Sequence, residues 1–225
     1  MKTLLINGCS FGECWTPTKN FIADLGCDNL VNISKPGTSF QRTYRSTIEW
    51  IAQNGNPKFV LIPITFCHRW ELALNLHDDP IEGSWIPLQN SNFIRDDIKL
   101  QGTNAKDLKK LVDDYYKIIP NVKTYYDKLF TDIILFANYL ENNNIRYLMF
   151  DMCNNFDKKD IQGCQGFKKV KLIEQNKNIM DLWSFCANEY MFTTMESNTD
   201  IDRYGHHHEP EQYKQLEKHI LNYII

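Results

Sequence analysis

Apolar residues in this chain alternate between short continuous runs and stretches of helical period. Thr3-Leu4-Leu5-Ile6 is a four-residue run bounded by turn residues and predicts a short buried strand. Residues 19–25, between Pro17-Thr18 and Gly26, read as a short helix. A second strand is predicted over 29–33. Ser39 can then cap a helix over 40–53, with Tyr44, Ile48 and Ile51 at helical spacing and Asn54-Gly55-Asn56-Pro57 ending it. Residues 58–64 contain Phe59-Val60-Leu61-Ile62-Pro63-Ile64, an unbroken apolar run that suits a strand covered on both faces. Strand, helix, strand, helix, strand within the first 65 residues is the rhythm of a doubly wound α/β sheet with right-handed crossovers.

The rhythm then breaks. Residues 70–104 carry turn residues such as Asp78-Asp79-Pro80 and no sustained period, as a lid or binding loop does. Helices are predicted over 105–118 and 122–142. The second shows Tyr126, Leu129, Ile133, Phe136 and Leu140 on one stripe. A fourth strand over 145–150 ends at Asp151, which can cap a helix or touch a ligand. A polar loop over 155–166, a helix over 178–190 and a short fifth strand over 191–194 follow. Asp181 and Trp183 read as surface and core of that helix. A loop over 197–208 leads into a closing helix from Pro210. The chain thus reads as one α/β domain over 1–225, a parallel sheet of about five strands with an insertion over 70–120 as substrate wall or lid.

Composition narrows the function classes. A formal net charge of −3 over 225 residues offers no basic face for nucleic acid or an anionic membrane. No apolar run approaches the roughly 20 residues that cross a bilayer, and the amino-terminal run is short for a signal peptide. A soluble, cytoplasmic protein is expected. The seven cysteines are scattered without a Cys-x-x-Cys pair and read as reduced, small apolar residues.

Gly8-Cys9-Ser10-Phe11 follows the first strand directly. A small-residue turn at the carboxyl end of a parallel strand is where open α/β sheets present reactive groups. Ser10 is therefore a candidate nucleophile, and the plain alternative is a serine capping the next helix. A reactive thiol at Cys9 is a weaker option. Three strand ends, at Ser10, at Pro36-Gly37 and at Thr65, face one crevice. The loop before the last helix supplies Asp200, Asp202, His206, His207 and His208. A serine nucleophile needs an imidazole, a carboxylate to orient it and donors for the oxyanion. The Ser10 and Gly37 amides and the Thr65 hydroxyl are candidate donors. Arg69 and Glu71 are candidates to bind substrate or to pair with each other at the rim. Three consecutive histidines, with His68 or His77, could instead hold zinc, although the usual ligand spacings are not met.

These segments resemble the motif blocks of the SGNH hydrolase (GDSL-like esterase) superfamily. Gly8-Cys9-Ser10-Phe11 is similar to the first block, with Cys9 where aspartate is usual. Asn32 and Pro36-Gly37-Thr38-Ser39 are similar to the second, whose glycine amide serves the oxyanion hole. Pro63-Ile64-Thr65-Phe66 lies where Gly-x-Asn-Asp is usual, with Thr65 replacing asparagine. Cys67-His68-Arg69-Trp70-Glu71 resembles segments of SGNH-like proteins of bacteria and their viruses. Gly205-His206-His207-His208-Glu209-Pro210 is similar to the last block when His207 takes the catalytic place. Tyr204 then stands at the usual aspartate position, and Asp202 is the nearest carboxylate; His206, four residues after Asp202, is the alternative base. The resemblance implies a three-layer α/β/α, flavodoxin-like fold and a Ser-His-Asp esterase acting on a small-molecule or glycan ester, acetyl above all. It implies no cofactor and no metal. A binding or assembly protein that keeps the fold without turnover, and a metal-dependent hydrolase built on the histidine run, are the rival readings.

Overall fold

The computed structural model describes residues 1–73, 85–88, 105–118, 122–152, 167–180, 187 and 210–224. Strands β1 (Thr3–Ile6), β2 (Asn29–Asn32), β3 (Phe59–Ile64) and β6 (Arg146–Asp151) form one parallel sheet in the order β2-β1-β3-β6. The register pairs Ile6 with Asn32 and with Leu61, and Ile64 with Asp151. The chain ends its sheet hydrogen bonds on β1 where Asn7 N–H donates to the Leu61 carbonyl (3.2 Å). Pro63 has no N–H with which to extend that ladder, and the chain after β1 leaves the sheet opposite it.

Side-chain alternation along the strands splits the core in two. Leu5, Val60, Ile62 and Ile64 point to one face, against α3 (Phe40–Asn54) and α5 (Val122–Asn142), through Phe40, Tyr126, Phe130, Ile133 and Phe136. Leu4, Ile6, Phe59 and Leu61 point to the other, against α1 (Ser10–Cys14), α2 (Lys19–Asp24) and α7 (Pro210–Ile224), through Trp15, Phe21, Tyr213, Leu216 and Ile220. Every residue of β1 and β3 is buried, as the unbroken apolar runs require. The result is the three-layer α/β/α sandwich the element rhythm predicts.

Several elements match their predicted spans closely. Ser39 caps α3 by accepting from the Arg42 N–H (3.2 Å), and Thr18 caps α2 in the same way through Phe21. Two regions differ. Trp70–Ala73 (β4) and Trp85–Leu88 (β5) form an antiparallel pair within the stretch that lacks a period. The region after α6 (Phe167–Glu174) does not begin a helix at residue 178. Asn178 and Met180 instead bracket Met149, the Met149 N–H donating to the Asn178 carbonyl and the Met180 N–H to the Met149 carbonyl (2.9 Å each). This short extended piece flanks β6 at the sheet edge, because the free side of a parallel strand offers unpaired backbone groups. The loop predicted over 155–166, the strand over 191–194 and the loop over 197–208 lie outside the described residues. Among the described residues no helix is long and apolar enough to cross a membrane.

Candidate active site

Ser10 is the first residue of α1, and Cys9 is its N-cap, with no side-chain capping bond. Ser10 is thus not the capping serine that its position after a strand allows. The first backbone bond of the helix runs from the Glu13 N–H to the Cys9 carbonyl (3.0 Å), so the helix leaves the Ser10 amide unused. The Ser10 hydroxyl is half-buried and has no hydrogen-bond partner among the described residues. Cys9 is fully buried among Leu4, Ile6 and Trp15, an apolar setting for a thiol.

Two glycines let this turn sit against β3. A Cβ on Gly8 would lie 2.6 Å from Pro63 Cγ and 3.0 Å from the Pro63 carbonyl, and one on Gly12 would lie 2.7 Å from Ser34 Oγ. Asn32, at the end of β2, holds the far end of α1. Its Nδ2 donates to the Gly12 (2.8 Å) and Trp15 (3.2 Å) carbonyls, the first of which also accepts from the Trp15 N–H (3.2 Å).

The loop after β2 is fastened to the serine turn through one carbonyl. Gly8 O accepts from the Lys35 N–H (3.1 Å) and from Thr38 Oγ1 (3.3 Å). Between them lies Gly37, with φ 70°, a left-handed conformation that glycine adopts without steric conflict. The loop after β3 is fastened in turn to the second. Thr65 Oγ1 donates to the Thr38 carbonyl (3.2 Å) and accepts from Arg69 Nη1 (3.1 Å). Ser10, Gly37 and Thr65 are therefore brought to one edge by a continuous set of bonds.

Thr65 lies within that set. The residue is 0% exposed, and its hydroxyl donates to the Thr38 carbonyl and accepts from Arg69, which ties the second loop to the third. Glu71 departs from its expected place. It does not pair with Arg69; its carboxylate, 3% exposed, lies 3.3 Å from Arg45 Nη2 on α3, and its backbone N–H meets Gln41. Burial pushes the Glu71 carboxyl up, while Arg45 and Arg42 pull it back. Asp151 is buried at the end of β6. The residues Asp200, Asp202, His206, His207, His208 and His77 lie outside the described residues. Among the described residues no group of three or more His, Cys, Asp or Glu side chains gathers as a metal site would.

A buried polar knot beneath the serine turn escapes sequence reading. Asn7 is 0% exposed and its Nδ2 meets the Thr43 carbonyl (2.8 Å), Ser46 Oγ (2.8 Å) and Thr47 Oγ1 (2.9 Å) on α3. Arg42 Nη1 donates to Asn7 Oδ1 (3.3 Å) and to the Ile33 carbonyl (3.1 Å), and burial lowers the Arg42 pKa. The polar residue at the end of an apolar strand was its only signal. On the other face, Tyr213 of α7 stacks on Trp15 (6.0 Å) and its hydroxyl donates to the Phe11 carbonyl (2.8 Å), which sets the start of the last helix beside the serine turn.

No protein-family model and no curated relative matches the chain. Solved structures do. A psychrotrophic esterase, EstA, from a Pseudoalteromonas species, solved inhibited by monoethylphosphonate, is 12% identical and superposes with a TM-score of 0.50 over 100% of this chain and 97% of its own. An acetyl xylan esterase, AlAXEase, is 12% identical with a TM-score of 0.50 over 99% of this chain and 100% of its own. The fold is therefore the one these two esterases have, over nearly the whole length of both chains.

Proposed function

We propose that the protein is a serine hydrolase of ester bonds, removing an acyl group such as acetyl from a carbohydrate or similar polar substrate. The observation that carries this reading is the unbonded Ser10 hydroxyl, held at the carboxyl edge of the sheet beside Gly37. Ser10 Oγ attacks the carbonyl carbon while an imidazole accepts its proton. His207 is the base we assign, with His206 as the alternative and Asp202 as the carboxylate that orients the ring. Chain connectivity supports this: His207 is three residues before Pro210, a span of at most about 11 Å. Tyr213, one turn into the helix, is bonded to the residue after Ser10. The amides of Ser10 and Gly37 receive the developing oxyanion. The two esterases of the same fold support the reaction class, and the acetyl xylan esterase among them supports the acyl group.

A fluorophosphonate probe tests the nucleophile directly. The wild-type protein is expected to label at Ser10 and to hydrolyse p-nitrophenyl acetate. Ser10→Ala is expected to lose both while keeping its thermal transition. Turnover retained by Ser10→Ala overturns the mechanism. The buried Thr65 favours a second reading, a ligand-binding protein on this fold without turnover, which predicts no labelling of the wild type.

A further inference from the structure

Thr65, on the third loop, is sealed from solvent, and its hydroxyl donates to the Thr38 carbonyl. The group that Thr65 holds is Arg69. Its guanidinium is fixed at two points, by Nη1 on Thr65 Oγ1 (3.1 Å) and by the Phe66 ring, 4.5 Å from Cζ to the centroid. No carboxylate pairs with it among the described residues. Glu71, two positions along, is turned onto Arg45 instead. The Arg69 Nε is buried with no hydrogen-bond partner. A half-buried guanidinium without a counter-ion, and with a buried donor unmet, is unfavourable by itself, and such a group calls for an anion.

We propose that Arg69 is a catalytic residue, the charged third donor to the oxyanion, and that Thr65 is its positioning residue. The proposal rests on the reading of Ser10 as nucleophile. When the Ser10 Oγ–carbon bond forms, the carbonyl π pair moves onto oxygen and the serine proton moves to the imidazole. Arg69 donates hydrogen bonds to that oxygen and keeps its own protons. On collapse the pair returns, the bond to the alcohol oxygen breaks, and the imidazolium protonates the leaving alkoxide. A fixed full charge stabilises the anionic tetrahedral state far more than the neutral ester, so it acts on kcat and not on KM.

Arg69→Met, Arg69→Lys and Thr65→Val are compared with wild type on p-nitrophenyl acetate, on the anionic p-nitrophenyl hemisuccinate and in the rate of fluorophosphonate labelling. Arg69→Met is expected to lose about 100-fold or more in kcat on both esters, with KM within about threefold, and to label more slowly in parallel. Arg69→Lys is expected to recover part of the loss, and Thr65→Val to fall between wild type and Arg69→Met. If Arg69→Met loses its thermal transition, the lysine and valine variants carry the same comparison. A loss confined to the hemisuccinate, or to KM, overturns the proposal in favour of a substrate carboxylate site. Unchanged kcat in a wild type that labels overturns this proposal alone. A wild type that neither labels nor turns over removes the reading of Ser10 and this proposal with it.

Discussion

At the scale of single residues, the site depends on how closely the serine turn approaches β3. Gly8 and Gly12 both face Pro63, but what surrounds them differs. At Gly8 a methyl group meets the proline ring at 2.6 Å and a strand carbonyl at 3.0 Å, neither of which moves without displacing β3. At Gly12 the nearest atom is Ser34 Oγ, a hydroxyl with no hydrogen bond to lose that can turn away. Gly8→Ala is therefore expected to lose roughly 1–3 kcal/mol or more of unfolding free energy by urea titration, and Gly12→Ala distinctly less. Equal losses at the two positions would show that the Pro63 contact does not set the turn. The turns that carry Ser10 and Gly37 were legible because glycines punctuate both in the sequence. The hydrogen-bond partners of Thr65 and Glu71 were not legible. Their orientations are decided by Thr38 and Arg45, 27 and 26 residues away, and no local pattern reports a partner at that distance.

At the scale of elements, the helix that begins at Ser10 is only five residues long, and its stability is borrowed from its neighbours. Asn32 closes its carboxyl end and α7 holds the segment after it. Glu217 of α7, 4% exposed, accepts from the Thr18 N–H (2.9 Å), from Thr18 Oγ1 (2.6 Å) and from Trp15 Nε1 (3.3 Å). One carboxylate thus joins the last helix to the start of α2 and to the core tryptophan after α1. Glu217→Ala leaves those donors unmet in a buried position and is expected to destabilise by roughly 2–4 kcal/mol, with Glu217→Gln closer to wild type. Chemical denaturation followed by tryptophan fluorescence measures both. A loss below about 1 kcal/mol in Glu217→Ala, the net worth of one ordinary hydrogen bond, would rule out this joint as an anchor. The long helices α3, α4 (Ala105–Ile118), α5 and α7 were readable from periodic stripes and caps. The short α1 and the four-residue β4 and β5 were not, since a period needs two or more turns of a helix or a longer strand to register. The residues around Ile179 read as helix and are extended, because the unpaired edge of β6 overrides their local preference.

At the scale of the whole molecule, burial of tyrosine gives a pH dependence that can be worked out in sign. Tyr44, Tyr115, Tyr116, Tyr125, Tyr147 and Tyr213 all have phenols raised above their ordinary value of 10.0, in each case first by burial, Tyr116 to about 12. They are spread over both faces of the sheet: Tyr126's neighbour Tyr125 and the pair Tyr115–Tyr116 lie beside Trp70, while Tyr213 lies against Trp15. Above pH 10 the unfolded chain has released these protons and the folded chain still holds them. The folded state then binds more protons than the unfolded, so stability falls as pH rises, and it is fully present below pH 10. Absorbance at 295 nm, which follows phenol ionisation, should therefore report on these six rings. The six rings are expected to ionise only as the sheet unfolds, in step with the loss of far-ultraviolet dichroism. A single reversible transition near pH 10 with dichroism unchanged would contradict the burial of these rings. Their coincidence with unfolding would instead locate the alkaline limit of the fold in the aromatic contacts that hold α4, α5 and α7 onto the sheet, Tyr213 beside the serine turn among them.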